Sequence, residues 1–310
     1  MFGHHTTRKI DLHLPTSWNL ATTEELEVIA AAIISEQQRV DRYHPFDWSR
    51  VKLSVVLGVN HIEVVSQPVP VIKNYSHDDT YLMRRSKDEE PWPISVGQLV
   101  ALTERLAWID DEKANKTIFR FPYPTLDVRC KKDLQGPPPL LDGYTWREYR
   151  WLTDWMQEYM RHSNAKHMKA AATAQKEFLA ILFKPCEKQT GTGAAEHTSS
   201  ISHLTSDIFE GFSPIKWQVI LFWWSSLMSM LAKKFPKVFK QQSVGKGKRR
   251  QQRQDTPWDF YNRVTATIQK YIGGLSEQDV NNATYGTILQ QLEMMADEAA
   301  ELERAKSRHP

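Results

Sequence analysis

"FWWSSLMSMLAKKFPKVFK", residues 222–240, admits four readings: a membrane span, a membrane-surface helix, a buried core helix or a partner-docking face. The longest apolar run around it, Trp217 to Ala232, is shorter than the roughly 20 residues a span needs, and Gln218, Ser225, Ser226 and Ser229 interrupt it. At about 100° per residue, Val219, Ile220, Leu221, Phe222, Trp223, Trp224, Leu227, Met228, Met230 and Leu231 cover more than half the helix circumference. Gln218, the three serines and Lys233 fill the remaining strip. A membrane-surface helix carries Lys and Arg along its polar face. Here that face is small and neutral, and the cations gather at the C-terminal end, where they suit the helix dipole. The expectation is a central helix packed on several sides, with serines allowing close approach of a neighbour; a partner groove is the alternative.

Composition bounds the rest. The chain has 310 residues, enough for one large domain or two ordinary ones. It is 41% hydrophobic and 25% charged, a globular rather than disordered balance. A net charge of +3 does not by itself imply nucleic acid. Cys130 and Cys186 form neither a disulfide framework nor a CxxC site and read as free thiols in a reducing cytoplasm. "MFGHHTTRKIDLHLP" lacks the apolar core of a signal peptide. The expected protein is therefore soluble and cytoplasmic, with no membrane association.

Working outward, residues 1–126 mix helix and strand signals and read as a small α+β domain. Thr22 with Glu25, and Ser95 with Gln98, are capping boxes that open helices. "VKLSVVLGV" (51–59) and "TIFRFPYP" (117–124) are β-rich runs. "YLMRRSKDEEPWPIS" (81–95) reads as two short strands around a charged turn at Ser86–Glu90. Residues 127–143 form a Pro- and Gly-bearing connector.

Beyond it the signals are helical, so the fold class is mainly α with that N-terminal α+β domain. A helical domain spans 144–240. Thr145 and Glu148 form its first capping box. Tyr149, Leu152, Trp155, Met156, Tyr159 and Met160 share one face of that helix; Arg147, Arg150, Asp154, Gln157 and Arg161 share the other. "KEFLAILFKP" continues or repeats that helix and stops at Pro185, "CEKQTGTGAAEHTSSIS" (186–202) is a polar loop, and Ser213-Pro214 starts the tryptophan helix. A basic linker covers 241–255. Residues 256–310 read as an antiparallel helical hairpin. Thr256-Pro257-Trp258-Asp259 opens it, and Trp258, Tyr261, Val264, Ile268 and Tyr271 recur at helical spacing. Gly273-Gly274 turn the chain, and Ser276 with Asp279 caps a second helix. Its inner face is Ile288, Leu289, Leu292, Met295, Ala299 and Leu302.

No catalytic constellation emerges. His4 and His5, His162 and His167, and His197 and His203 lack HExxH or paired CxxC partners, so no metal is expected. "GTG" (191–193) and "GKGKRR" (245–250) lack the strand, spacing and terminal Ser or Thr of a phosphate-binding loop. No GxSxG occurs. The expectation is a protein that is not an enzyme and uses no cofactor. Every charged residue from Lys233 to Arg253 is Lys or Arg. That block reads either as a solvated helix end with a basic linker, or as a nucleic-acid contact through Lys246, Lys248, Arg249, Arg250 and Arg253.

The order of short stretches "LPTSWN", "YLMRR", "PYPTL", "YTWREYRW", "FLAILF", "FWWSSLMSMLAKKFPKVF" and "PWDFYNRVTATIQKY" resembles hypothetical proteins of prophage tail gene clusters, especially those of Bacteroidetes. These look like tail assembly chaperones. The resemblance implies a non-enzymatic adapter for virion assembly that acts in the host cytoplasm and binds phage tail proteins, the tape-measure protein above all. It carries no catalytic residues. The hairpin is the expected docking element, with Trp258, Tyr261, Tyr285, Met294 and Met295 as partner-binding residues. The alternatives are a hairpin that serves as core, and an adapter that binds nucleic acid through 233–253.

Overall fold

A computed structural model describes residues 11–66, 80–111, 117–127, 133–185, 204–239 and 257–308. The described residues are mainly helical, with a small α+β part. The chain divides into two compact units. One holds residues through Ile118 together with Ser213–Trp223; the other holds Phe119–Phe212 and the chain from Trp224 onward.

In the first unit, α1 (Thr23–Arg39) starts at the expected capping box. The Thr22 hydroxyl accepts from the Glu25 amide, and the Thr22 amide donates to the Glu25 carboxylate at 2.7 Å. Leu26, Ile29, Ala30 and Ile33 form its buried face. Trp48–Val59 is α2, not the strand that its β-branched run suggests. Asp47 supplies the cap by accepting the Ser49 amide at 2.9 Å. Val51, Val55 and Val56 then recur on one helical face and are buried, so burial at helical spacing overrides intrinsic β preference.

Strands β1 (Glu63–Ser66), β2 (Thr80–Arg84) and β3 (Trp92–Ser95) form an antiparallel sheet in that order. The β2–β3 pair is the expected hairpin, with Thr80 opposite Ser95 and Met83 opposite Trp92. Ser95 ends β3 and caps α3 (Val96–Glu104) through the box with Gln98. Met83, Trp92, Ile94 and Leu99 make a core against which Leu53, Leu57, Ile62 and Val64 pack. Trp18 meets Trp108 and Phe222 edge-on, at 5.3 and 5.1 Å.

"TIFRFPYP" forms no strand. Pro122 and Pro124 remove ladder donors, and Phe121 instead packs edge-on against Phe183 at 5.5 Å. The ladder begins just beyond, as β4 (Thr125–Asp127), β5 (Asp133–Gln135) and β6 (Lys184–Pro185). The expected connector thus carries a strand. At Gly136 a Cβ would fall 2.3 Å from the Tyr123 carbonyl oxygen, so only glycine fits there.

The second unit is built on α4 (Trp146–Asn164) and α5 (Met168–Leu182), an extensively packed pair. The Thr145–Glu148 box opens α4. Its inner face is wider than the apolar pattern: Arg150, expected on the polar face, is only 5% exposed and donates to Asn281 at 3.3 Å. Met160, expected inside, is exposed. The tryptophan helix α6 (Pro214–Lys234) contributes to both units. Trp217, Val219, Ile220, Trp223, Trp224, Leu227 and Leu231 are buried, as is Ser226, which makes this a core helix as its sequence indicates. In the second unit Phe178 meets Trp224 edge-on at 5.2 Å. The polar loop 186–202 lies outside the described residues.

The C-terminal segment holds α7 (Pro257–Ile272), α8 (Glu277–Asn282) and α9 (Tyr285–Arg308). Gly273 and Gly274 end α7 at φ of 69° and 72°. The Ser276–Asp279 box is present, but it caps a helix of 6 residues. The second arm of the hairpin is therefore broken at Ala283–Thr284. There the chain pairs with the start of α4: the Trp146 amide donates to the Ala283 carbonyl at 2.8 Å, and the Tyr285 amide to the Tyr144 carbonyl at 3.0 Å.

Candidate docking surface

Helix α9 begins inside the second unit and ends outside its core. The Thr284 hydroxyl accepts the Thr287 amide and starts the helix. The next residue, Tyr285, is 5% exposed. Its ring stacks on Tyr149, which stacks on Trp146 at 5.8 Å. Its hydroxyl donates to the Leu140 carbonyl. Burial pushes that hydroxyl's pKa up to about 12, with the Asp142 charge adding to the shift. Ile288 and Leu289 are also buried.

Beyond these turns the same face emerges. Leu292 and Met295 are half-buried, and Ala299 and Leu302 are exposed, Leu302 by 62%. The positions 288, 292, 295, 299 and 302 alternate spacings of four and three, the repeat of a coiled-coil seam. The core of the unit covers the first part of that seam and leaves the rest open.

Polar contacts hold the helix along its length. The Lys237 and Val238 amides donate to the Glu293 carboxylate at 3.1 Å, and the Lys237 ammonium pairs with Asp297. The Tyr271 hydroxyl at the end of α7 donates to Glu298 at 2.5 Å. The carboxylate holds that tyrosine's proton, raising its pKa. Tyr271 and Ile272 are exposed beside this contact. From Glu293 to Glu301 all the charged residues are acidic: Glu293, Asp297, Glu298 and Glu301.

The expected partner-binding residues fall in three places. Met294 is 47% exposed and Met295 half-buried, both on the emerging part of α9. Tyr285 is not on that surface; it is a core anchor, because its ring completes the aromatic stack on α4. The side chains of Trp258 and Tyr261 lie outside the described residues, as do Lys246, Lys248, Arg249, Arg250 and Arg253. Glu298, bonded to Tyr271 of the α7 apolar face, flanks the seam. Only that pairing across two helices marks it, and no local motif records the contact.

Elsewhere, the turn between α4 and α5 brings His162 and His167 to 5.9 Å between ring centroids, through Lys166 at φ 58°. Among the described residues no group of three His, Cys, Asp or Glu side chains could hold a metal ion. No described helix is long and apolar enough to cross a membrane. No protein-family model, curated protein or solved structure matches this chain.

Proposed function

We propose that the protein is a non-enzymatic assembly factor that docks a helical client along the emerging half of α9. In this reading it acts in the host-cell cytoplasm during phage tail assembly, and the client is a tail protein such as the tape-measure protein. The observation that carries the docking is the single seam running from buried Ile288 to exposed Leu302. An apolar stripe that runs over four turns and is left uncovered at its C-terminal end is the arrangement that helix-recognising surfaces use. The phage client rests on the sequence resemblance.

The test is affinity capture of the neighbouring tail gene products on the full chain and on a double variant, Ala299→Asp with Leu302→Asp. Both positions are exposed, so the variant keeps its melting temperature. Loss of the client from the variant supports the reading. Retention with unchanged affinity overturns it.

A further inference from the structure

We infer that the helix recognised by α9 belongs to a different chain and carries Lys or Arg beside its apolar seam. This rests on the docking reading above and adds the chemistry of the partner.

With Leu292 and Ala299 as a positions and Met295 and Leu302 as d positions, the flanking e and g positions are Gln291, Ala296, Glu298, Glu303 and Ala305. None is basic, and both charged ones are acidic. In a parallel pair of coiled helices each g position faces the e position of the next heptad on the partner. A parallel pairing of two copies would set Glu298 opposite Glu303. An antiparallel pairing sets g against g and e against e, so the register that seats Leu292 on Leu302 and Ala299 on Met295 brings Glu298 against Glu298. Self-association through this seam is therefore disfavoured in both orientations, and cationic residues at the flanks of a foreign helix relieve the repulsion. Tyr271 strengthens the case: its hydroxyl holds the Glu298 carboxylate beside the seam at 2.5 Å, so this charge is positioned before a partner arrives. Ala299, small and exposed, leaves space on the seam for a large apolar residue of the partner.

The experiment uses the full chain and three synthetic three-heptad peptides. All share one Leu-based seam; their flanking positions are Lys, Glu or Ser. Binding is followed by fluorescence anisotropy at low and high salt. The Lys peptide binds about tenfold more tightly than the Glu peptide at low salt, and the gap narrows at high salt as screening sets in. Glu303→Lys, and separately Glu298→Lys, shifts the preference toward the Glu peptide. Glu303→Lys avoids disturbing the Tyr271 contact, so the pair of variants separates charge from folding. Equal binding of all three peptides overturns the charge rule and leaves docking on α9 standing. Binding of no peptide, with capture of a natural client still abolished by Leu302→Asp, overturns the heptad chemistry alone. A dimer seen in sedimentation equilibrium and abolished by Leu302→Asp overturns the foreign partner in favour of a second copy.

Discussion

The ring of Tyr285 lies on that of Tyr149 with centroids 4.8 Å apart and planes 16° from parallel. This contact fixes where α9 leaves the second unit, because Tyr285 is its first residue. Tyr285→Ala removes the stack and leaves a cavity in a site that the surrounding helices hold open. The expected cost is about 3–5 kcal/mol in denaturant unfolding. Tyr285→Phe keeps the stack and loses only the bond to the Leu140 carbonyl, at about 1 kcal/mol. Equal and small effects of both changes would place Tyr285 on a surface.

Asp154, on α4, gives the fold a pH dependence of its own. Burial pushes its carboxyl up to about 6; Glu158 adds to the shift and Arg150 opposes it. Its Oδ1 is buried with no hydrogen-bond partner. The folded pKa is above the unfolded value of 3.8. The favourable contribution is thus complete below about pH 4 and is lost as pH rises through about 6. Asp154→Asn removes the ionisable group. The variant should be more stable than the parent by about 1–2 kcal/mol at pH 7, with its part-exposure to solvent counted, and the gain should vanish near pH 4. Melting curves across that window decide it; a gain that does not change with pH would rule out the carboxyl as its source.

Leu227 sits at the middle of α6 and is 0% exposed. Leu227→Asp places an unpaired carboxylate among apolar side chains. The cost is several kcal/mol, comparable to the whole stability of a domain. The expected product is aggregated or unfolded, with far-UV circular dichroism lost at 25 °C. Leu302→Asp, on the exposed end of α9, serves as the contrast and should melt within about 0.5 kcal/mol of the parent. A folded Leu227→Asp protein with unchanged melting would return this face of α6 to the surface.

What the sequence made legible was local chemistry. The boxes at Thr22–Glu25, Ser95–Gln98, Thr145–Glu148 and Ser276–Asp279 each need two residues three apart, and all four are present. The β2–β3 hairpin is equally local. What was hidden depends on distant partners. Strand β5 pairs with β6 across the whole of α4 and α5, with Gln135 opposite Lys184. The break between α8 and α9 is made by the Trp146 amide reaching the Ala283 carbonyl. Arg150 is charged, so periodicity put it outside; Asn281 gives it a partner inside. The docking seam was legible as a stripe, but not its division. Periodicity assigns one inner face to all of 288–302, whereas the tertiary core covers only its beginning.

Helix α2 packs closely on α1 at a glycine. Gly58 lies in its final turn, and a Cβ there would fall 2.7 Å from Cγ1 of Val28 on α1. Helix propensity alone favours Gly58→Ala by up to about 1 kcal/mol. The contact is closer than carbon atoms tolerate, so α1 and α2 must separate or Val28 must turn to another rotamer. Overpacking of this kind costs about 1–3 kcal/mol, and the net effect should be destabilising. Trimming the neighbour reverses the sign: in a Val28→Ala background the clash is gone and the propensity gain remains. Gly58→Ala should then stabilise relative to Val28→Ala alone. A double-mutant cycle by denaturant unfolding measures the coupling, expected at about 1–3 kcal/mol. Additive changes would mean that Val28 and Gly58 do not touch, and that the α1–α2 packing differs from the one described.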